Sequence, residues 1–159
     1  DIWSAGCCIY EMFSSKVLFS GRTNNLMIDK FMHIKGPIPR KMVRAHLRSY
    51  EMMQRMPFFN DDFQFRRQDT DPVTKQDIVK LVTYTRPTKS LGDMLNAHLG
   101  HGTSRKLVNH LRDLLEKTIL LDPARRITAK DALEHPFLRS DVAKTAKKKK
   151  AFDATRGWR

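Results

Sequence analysis

Histidines, cysteines and isolated charges are the first residues to weigh for chemistry. His98 and His101 fall in His98-Leu99-Gly100-His101-Gly102-Thr103-Ser104, a Gly-containing loop without a nearby cysteine. A structural zinc site gathers several His or Cys ligands round one ion, so a solvated loop is expected here instead. Cys7 and Cys8 are adjacent and are the only cysteines. They lack zinc spacing and cannot form a disulfide framework, so two small core residues in a reducing compartment are expected. Gly100-His101-Gly102 has neither the spacing nor the preceding strand of a phosphate loop. By residue type alone, Asp1 reads as a helix N-cap favoured by the helix dipole. Trp3 reads as a core aromatic and Arg126 as a solvated charge after a turn. None of these is a candidate for catalysis, metal binding or cofactor binding.

Charge is the next signal. The 159 residues carry 30 Lys plus Arg against 17 Asp plus Glu, a formal charge of +13. The excess is uneven: residues 139–159 hold 8 basic and 2 acidic residues, with Lys147-Lys148-Lys149-Lys150 at their centre. Such a run suits nuclear import, and otherwise a solvated, disordered tail; direct RNA binding is not expected of it. A second group, Lys35, Arg40, Lys41, Arg44 and Arg48, has no acid among residues 35–48. It suits an acidic partner or a phosphorylated substrate; a plain solvated helix face competes with that. No apolar run approaches the roughly 20 residues of a membrane span.

The elements that would hold these residues follow from periodicity. Residues 2–14 predict a helix apolar on nearly every side, which belongs inside a larger protein. Thr23 or Asn24 can cap a second helix over about 24–35, with Leu26, Met27, Phe31 and Ile34 inward and Gly36-Pro37 as the stop. Residues 40–55 predict an amphipathic helix with Val43, Leu47, Tyr50 and Met53 on one face. Phe63-Gln64-Phe65 alternates and Ile78 to Tyr84 is β-branched and aromatic, which suits a hairpin of 63–69 with 77–84. Helical spacing returns over 105–121 and ends at Asp122-Pro123. Thr128 caps a last helix carrying Ala132 and Leu133, with Asp131 in the capping-box position.

Three segments then form an ordered set: Asp1-x-Trp3-Ser4-x-Gly6, Leu18-Phe19-x-Gly21 and Asp122-Pro123-x-x-Arg126-Ile127-Thr128-Ala129, closed by His135-Pro136-Phe137. In order and separation they resemble the C-terminal lobe of eukaryotic protein kinases. The long stretch between the second helix and residue 105 resembles the insert of the CMGC group. Gly21 to Met27, Ile34 to Met42 and Arg86 to Leu91 narrow the resemblance to the pre-mRNA processing (Prp-four) serine/threonine kinases. Ser20 departs from the family's Leu-Phe-Pro-Gly turn, where proline is usual.

The resemblance implies a mainly α fold: the C-terminal half of a kinase C-lobe over residues 1–138, with an insert at about 36–104 that has room for a short β-hairpin. It implies a parent that transfers the γ-phosphate of ATP, with Mg, to Ser or Thr of proteins, splicing factors among them, in the nucleus or otherwise in the cytoplasm. It gives four residues support roles. Asp1 accepts hydrogen bonds from catalytic-loop backbone; Trp3 and Gly6 pack their helix under the substrate-binding segment; Arg126 pairs with a Glu of an Ala-Pro-Glu motif. None of the family's phosphoryl-transfer motifs occurs here: no Gly-rich loop, strand lysine, His-Arg-Asp or Asp-Phe-Gly. The chain is therefore expected to be a fragment, poorly soluble and inactive alone, binding neither cofactor nor metal. A non-catalytic interaction module, or a piece of a pseudokinase, is the alternative.

Overall fold

The computed structural model describes residues 2–100 and 103–139. The described chain is mainly α, with one two-stranded sheet. Its helices are α1 (Ile2–Ser14), α2 (Asn24–Lys35), α3 (Arg40–Met52), α4 (Leu91–Asn96), α5 (Arg105–Thr118) and α6 (Ala129–Leu133). The strands β1 (Phe65–Thr70) and β2 (Asp77–Val82) lie between α3 and α4.

Two apolar cores organise these elements. The first gathers Tyr10 of α1, Leu18 and Phe19 of the following turn, Ile34 of α2, and Leu111, Leu115 and Ile119 in and after α5. α1 meets α5 through Gly6, Tyr10 and Ser14, which recur every fourth residue along one face. Gly6 is required by this approach: a Cβ there would lie 2.5 Å from Thr118 Oγ1. The opposite side of α1 is less apolar in its surroundings than its composition suggests. Cys7 packs against the core, but Cys8 is exposed and Met12 is 77% exposed.

The second core gathers Met32, Val43, Phe59 and Phe65, from α2, α3 and the hairpin region. α2 is therefore a wall between two cores. Ile34 faces the first with Met27 and Phe31 packed beside it, while Met32 faces the second. Met27, Phe31 and Ile34 thus pack inward as expected, and the correction is that α2 has a second buried face, through Met32. Its other buried positions are the polar Asn25 and Asp29, whereas Leu26 is only partly buried. Thr23 caps the helix by accepting from Leu26 N–H, and Gly36 ends it at φ 79°, a conformation glycine adopts readily.

The hairpin is antiparallel, with Phe65 opposite Val82 and Thr70 opposite Asp77. Its turn is closed by Asp71, whose carboxylate accepts from the N–H groups of Val73 and Thr74. α3 stops at Met52, so Met53 lies in the cap and is 52% exposed, not part of the inward face. Nothing in the sequence pattern above assigns residues 91–97 to an element, yet they form α4, whose Leu91 and Leu95 are among the most buried side chains. Ser90 caps it by accepting from Asp93 N–H. α5 ends at Thr118, and Asp122-Pro123 instead opens a 3-10 turn, Pro123–Arg125. Thr128 caps α6, accepting from Asp131 N–H and donating to the Asp131 carboxylate.

Candidate functional site

The support residues singled out in the sequence converge on the N-terminal half of α1. Asp1 lies outside the described residues. Trp3 stacks on Phe19, with centroids 5.5 Å apart and planes 11° from parallel. Phe31 of α2 meets both rings edge-on, 5.3 Å from Trp3 and 4.8 Å from Phe19. Offset and edge-to-face pairs of this kind add about 0.5–1.5 kcal/mol beyond area burial. The triangle ties α1, the 18–21 turn and α2 into one unit.

Arg126 covers the indole from another side, its guanidinium carbon 5.1 Å from the ring centroid. The guanidinium is held there by its own turn: Nε and Nη2 donate to Leu120 O at 3.2 and 2.9 Å. The carbonyl is free because α5 has ended two residues earlier. Arg126 is thus neither a solvated charge nor without contacts in this chain. It bridges the closing segment to the opening one, with Nη1 having no hydrogen-bond partner among the described residues. Trp3 and Arg126 act on each other, a contact that neither sequence position announces.

Beside the aromatic triangle runs an open apolar cleft of about 280 Å³, lined by Trp3, Cys7, Val17, Phe19, Met27 and Phe31. Burial raises the Cys7 thiol pKa, and the neighbouring Cys8 adds to this, so Cys7 is held as the unreactive thiol. Ser4, Cys8 and Glu11 also line it, and no hydrogen bond joins that hydroxyl or thiol to the Glu11 carboxylate among the described residues. Its chemistry is packing.

The closing His135-Pro136-Phe137 segment is anchored to α5. His135 is buried; its Nδ1 accepts from Phe137 N–H, which leaves Nε2 to donate to Asp113 Oδ2 at 2.8 Å. Asp113 also accepts from Lys117 at 2.7 Å, and that hydrogen bond is the main reason its carboxyl pKa lies below the usual range.

The insert is locked to α2 by polar groups whose burial no sequence pattern marks. Asn25 donates to Arg66 O at 2.8 Å and accepts from Gln68 N–H at 2.9 Å, completing the free edge of β1. Asp29 accepts from the Tyr84 hydroxyl at 2.6 Å, and His33 Nε2 lies 3.1 Å from that hydroxyl and 3.3 Å from Asp29. His33 O accepts from the N–H groups of Thr88 and Lys89. Burial, then the hydrogen bond to and charge of Asp29, push the Tyr84 phenol up to about 12.

The five cations of residues 35–48 do not act as one block. Lys35 pairs with Glu116 of α5, and Lys41 reaches Asp122 at 2.6 Å. Hydrogen bonding to Lys41 is the first cause of the lowered Asp122 pKa. Arg40 and Arg44 lie over the Phe63 ring. The Lys147–Lys150 run and His101 lie outside the described residues. Among the described residues no group of three His, Cys, Asp or Glu could hold a metal ion, and no helix is long and apolar enough to cross a membrane.

Comparison with known proteins agrees with this architecture. The profile of the protein kinase domain matches residues 1–138. The chain is 37% identical over 143 residues to the serine/threonine-protein kinase prp4 of Schizosaccharomyces pombe, covering 86% of this chain and 28% of that protein. It is 39% identical over 144 residues to the serine/threonine-protein kinase prpf4B of Dictyostelium discoideum, covering 87% of this chain and 17% of that protein. Extracellular signal-regulated kinase 1 of Candida albicans is 30% identical over 147 residues. The chain thus spans under a third of the length of each of these relatives.

Proposed function

The chain belongs to the protein kinase domain family, and from that premise we propose that it is the supporting part of a serine/threonine kinase acting in pre-mRNA splicing. The parent transfers the γ-phosphate of ATP to Ser or Thr of proteins, with splicing factors as substrates, and works in the nucleus. The observation that carries this is the joint one at α1. The kinase-domain profile covers both the opening and the closing motif, and Trp3 of the first touches Arg126 of the second.

In this proposal Trp3, Gly6 and Arg126 are positioning residues. Gly6 lets α1 seat on α5, the aromatic triangle fixes the angle of α2, and the free Nη1 edge of Arg126 is available to a carboxylate, the Glu that the family resemblance supplies. Asp1 takes the role of acceptor for catalytic-loop backbone. The apolar cleft beside Trp3 receives the substrate-binding segment. ATP and Mg belong to the parent. The described residues do not fit them, since no carboxylate cluster and no glycine-lined phosphate cradle is assembled here. No chemical step is therefore assigned to this chain. Residues 1–138 form the folded part of the proposal and residues 139–159 a basic tail.

The test is a phosphate-transfer assay with radiolabelled ATP, Mg and a Ser-containing splicing-factor peptide. The parent protein should label the peptide, and the 159-residue chain alone should not. Arg126→Ala in the parent should lower kcat more than it raises KM for the peptide. Transfer by the purified chain, or full kcat in the Arg126→Ala parent, would remove the proposed division of labour; no transfer by the parent under any substrate would favour the interaction module.

A further inference from the structure

Arg40, Arg44 and Arg48 stand at intervals of four along α3 and so share one face of the helix. All three are exposed. Unlike Lys35 and Lys41, they have no ion pair or side-chain hydrogen bond among the described residues. Two of them are nonetheless positioned. The guanidinium carbons of Arg40 and Arg44 lie 5.2 and 5.5 Å from the centroid of the same Phe63 ring.

Phe63 is itself fixed in an uncommon place. Its backbone is left-handed, φ 62°, which is rare for a bulky side chain. A tight turn holds it: Phe63 N–H donates to Asn60 O, and Asn60 bonds both the backbone and side chain of Gln64. A guanidinium held over a ring by cation–π attraction leaves its N–H donors unspent. Two forks are therefore anchored over one ring a helical turn apart, with no donor committed among the described residues, and Arg48 stands one turn further on. Helix stability does not account for Arg40, because a cation in the first turn opposes the helix dipole and α3 has no acid there.

We propose that this arginine face docks a phosphoserine- or phosphothreonine-bearing segment of a separate protein. A phosphate brings about −1.5 to −2 charges and three acceptor oxygens, which suits two forks; a carboxylate brings one charge. Asp61 and Asp62 precede Phe63 and make no ion pair with the arginines among the described residues; their charge opposes an incoming anion, so the preference for phosphate rests on the arginine forks alone. The occupant is not residues 139–159, which hold 8 basic and 2 acidic residues and carry the wrong sign. The inference goes beyond the kinase reading and does not rest on it, since binding needs no ATP.

The measurement is fluorescence anisotropy on the intact protein, without nucleotide. The probe is a short fluorescein-labelled peptide with one central phosphoserine; its serine and glutamate counterparts and a single-stranded RNA oligonucleotide serve as comparisons. The phosphopeptide should bind about tenfold tighter than the serine peptide, as charged hydrogen bonds allow, with glutamate between. Arg40→Gln with Arg44→Gln should abolish that preference, Arg48→Gln should weaken it by a few-fold, and Asp61→Asn with Asp62→Asn should strengthen it. Circular dichroism checks the fold; if the double variant melts early, the Arg48→Gln result decides, because that side chain makes no bond to lose. Equal affinity for phosphoserine and serine peptides overturns the proposal. So does RNA competing as well as phosphopeptide, or loss of binding when Lys147–Lys150 are changed to Gln.

Discussion

The two cores are built by different means. The first, around α1 and α5, is apolar and aromatic: Leu95, Leu115 and Ile119 have no exposed surface, and Trp3, Phe19 and Phe31 seal its edge. The second, around the hairpin, is also apolar, with Met32, Val43, Phe59 and Phe65 at its centre, but it is in addition fixed to α2 by the polar side chains of Asn25, Asp29, His33 and Tyr84. Packing tolerates a volume-conserving change, whereas a directed polar lock fails when one member is removed. The first region is therefore suited to carry a fixed support, and the second to hold an appended segment in one orientation.

Truncating the most buried residues should give the largest effects. Leu115→Ala in the first core should cost about 2–5 kcal/mol and Phe65→Ala in the second about 3–5 kcal/mol, read by denaturant melts. If α2 couples the cores, both variants shift one common transition. Two separated transitions in either variant would break the comparison into independent folding units. Asp29→Ala should cost about 1–3 kcal/mol, because the Tyr84 hydroxyl loses its acceptor, and should loosen the insert first. Hydrogen exchange tests this: β1 and β2 amides should lose protection while α5 amides keep theirs. Equal loss in both would count against a local lock.

Gly6→Ala sharpens the contrast from the other side. Its Cβ meets Thr118 Oγ1, so the packed interface should lose about 1–3 kcal/mol although alanine is the better helix former. A variant as stable as the parent would show that α1 can slide. The smallest effect concerns pH. Tyr84 has its phenol raised to about 12 in the fold, above its ordinary value. Its neutral form is thus favoured by folding; that stability is fully present below the ordinary phenol range and is lost as pH rises through about 12. Tyr84→Phe should remove this alkaline dependence, and ultraviolet titration should show one fewer late-ionising tyrosine.

Much of the frame was legible in the sequence because it is written locally. α1, α2 and the hairpin follow apolar period, caps and turn chemistry, and Thr23, Gly36 and Thr128 act where their types foretell. The site was legible only as a set of positions. Family resemblance implied that Trp3 and Gly6 pack their helix under the substrate-binding segment, while their contacts with Arg126 and Thr118 depend on where α5 ends, which no local pattern fixes. Asn25 and Asp29 were missed because polar residues on a helix read as solvated until a strand edge and a phenol are brought to them. α4 was missed because a six-residue helix holds too few turns to show a period.

The seating of Gly6 on Thr118 has a consequence for how the protein is made. These two residues are separated by about 110 positions, so during synthesis α1 emerges long before the surface it needs. At about 5–20 residues per second the wait is on the order of 5 to 20 s. Through that interval the nascent chain presents the Gly6 face of α1 without its partner helix. A chaperone that holds apolar segments should engage this chain at its first helix and let go once α5 has left the ribosome.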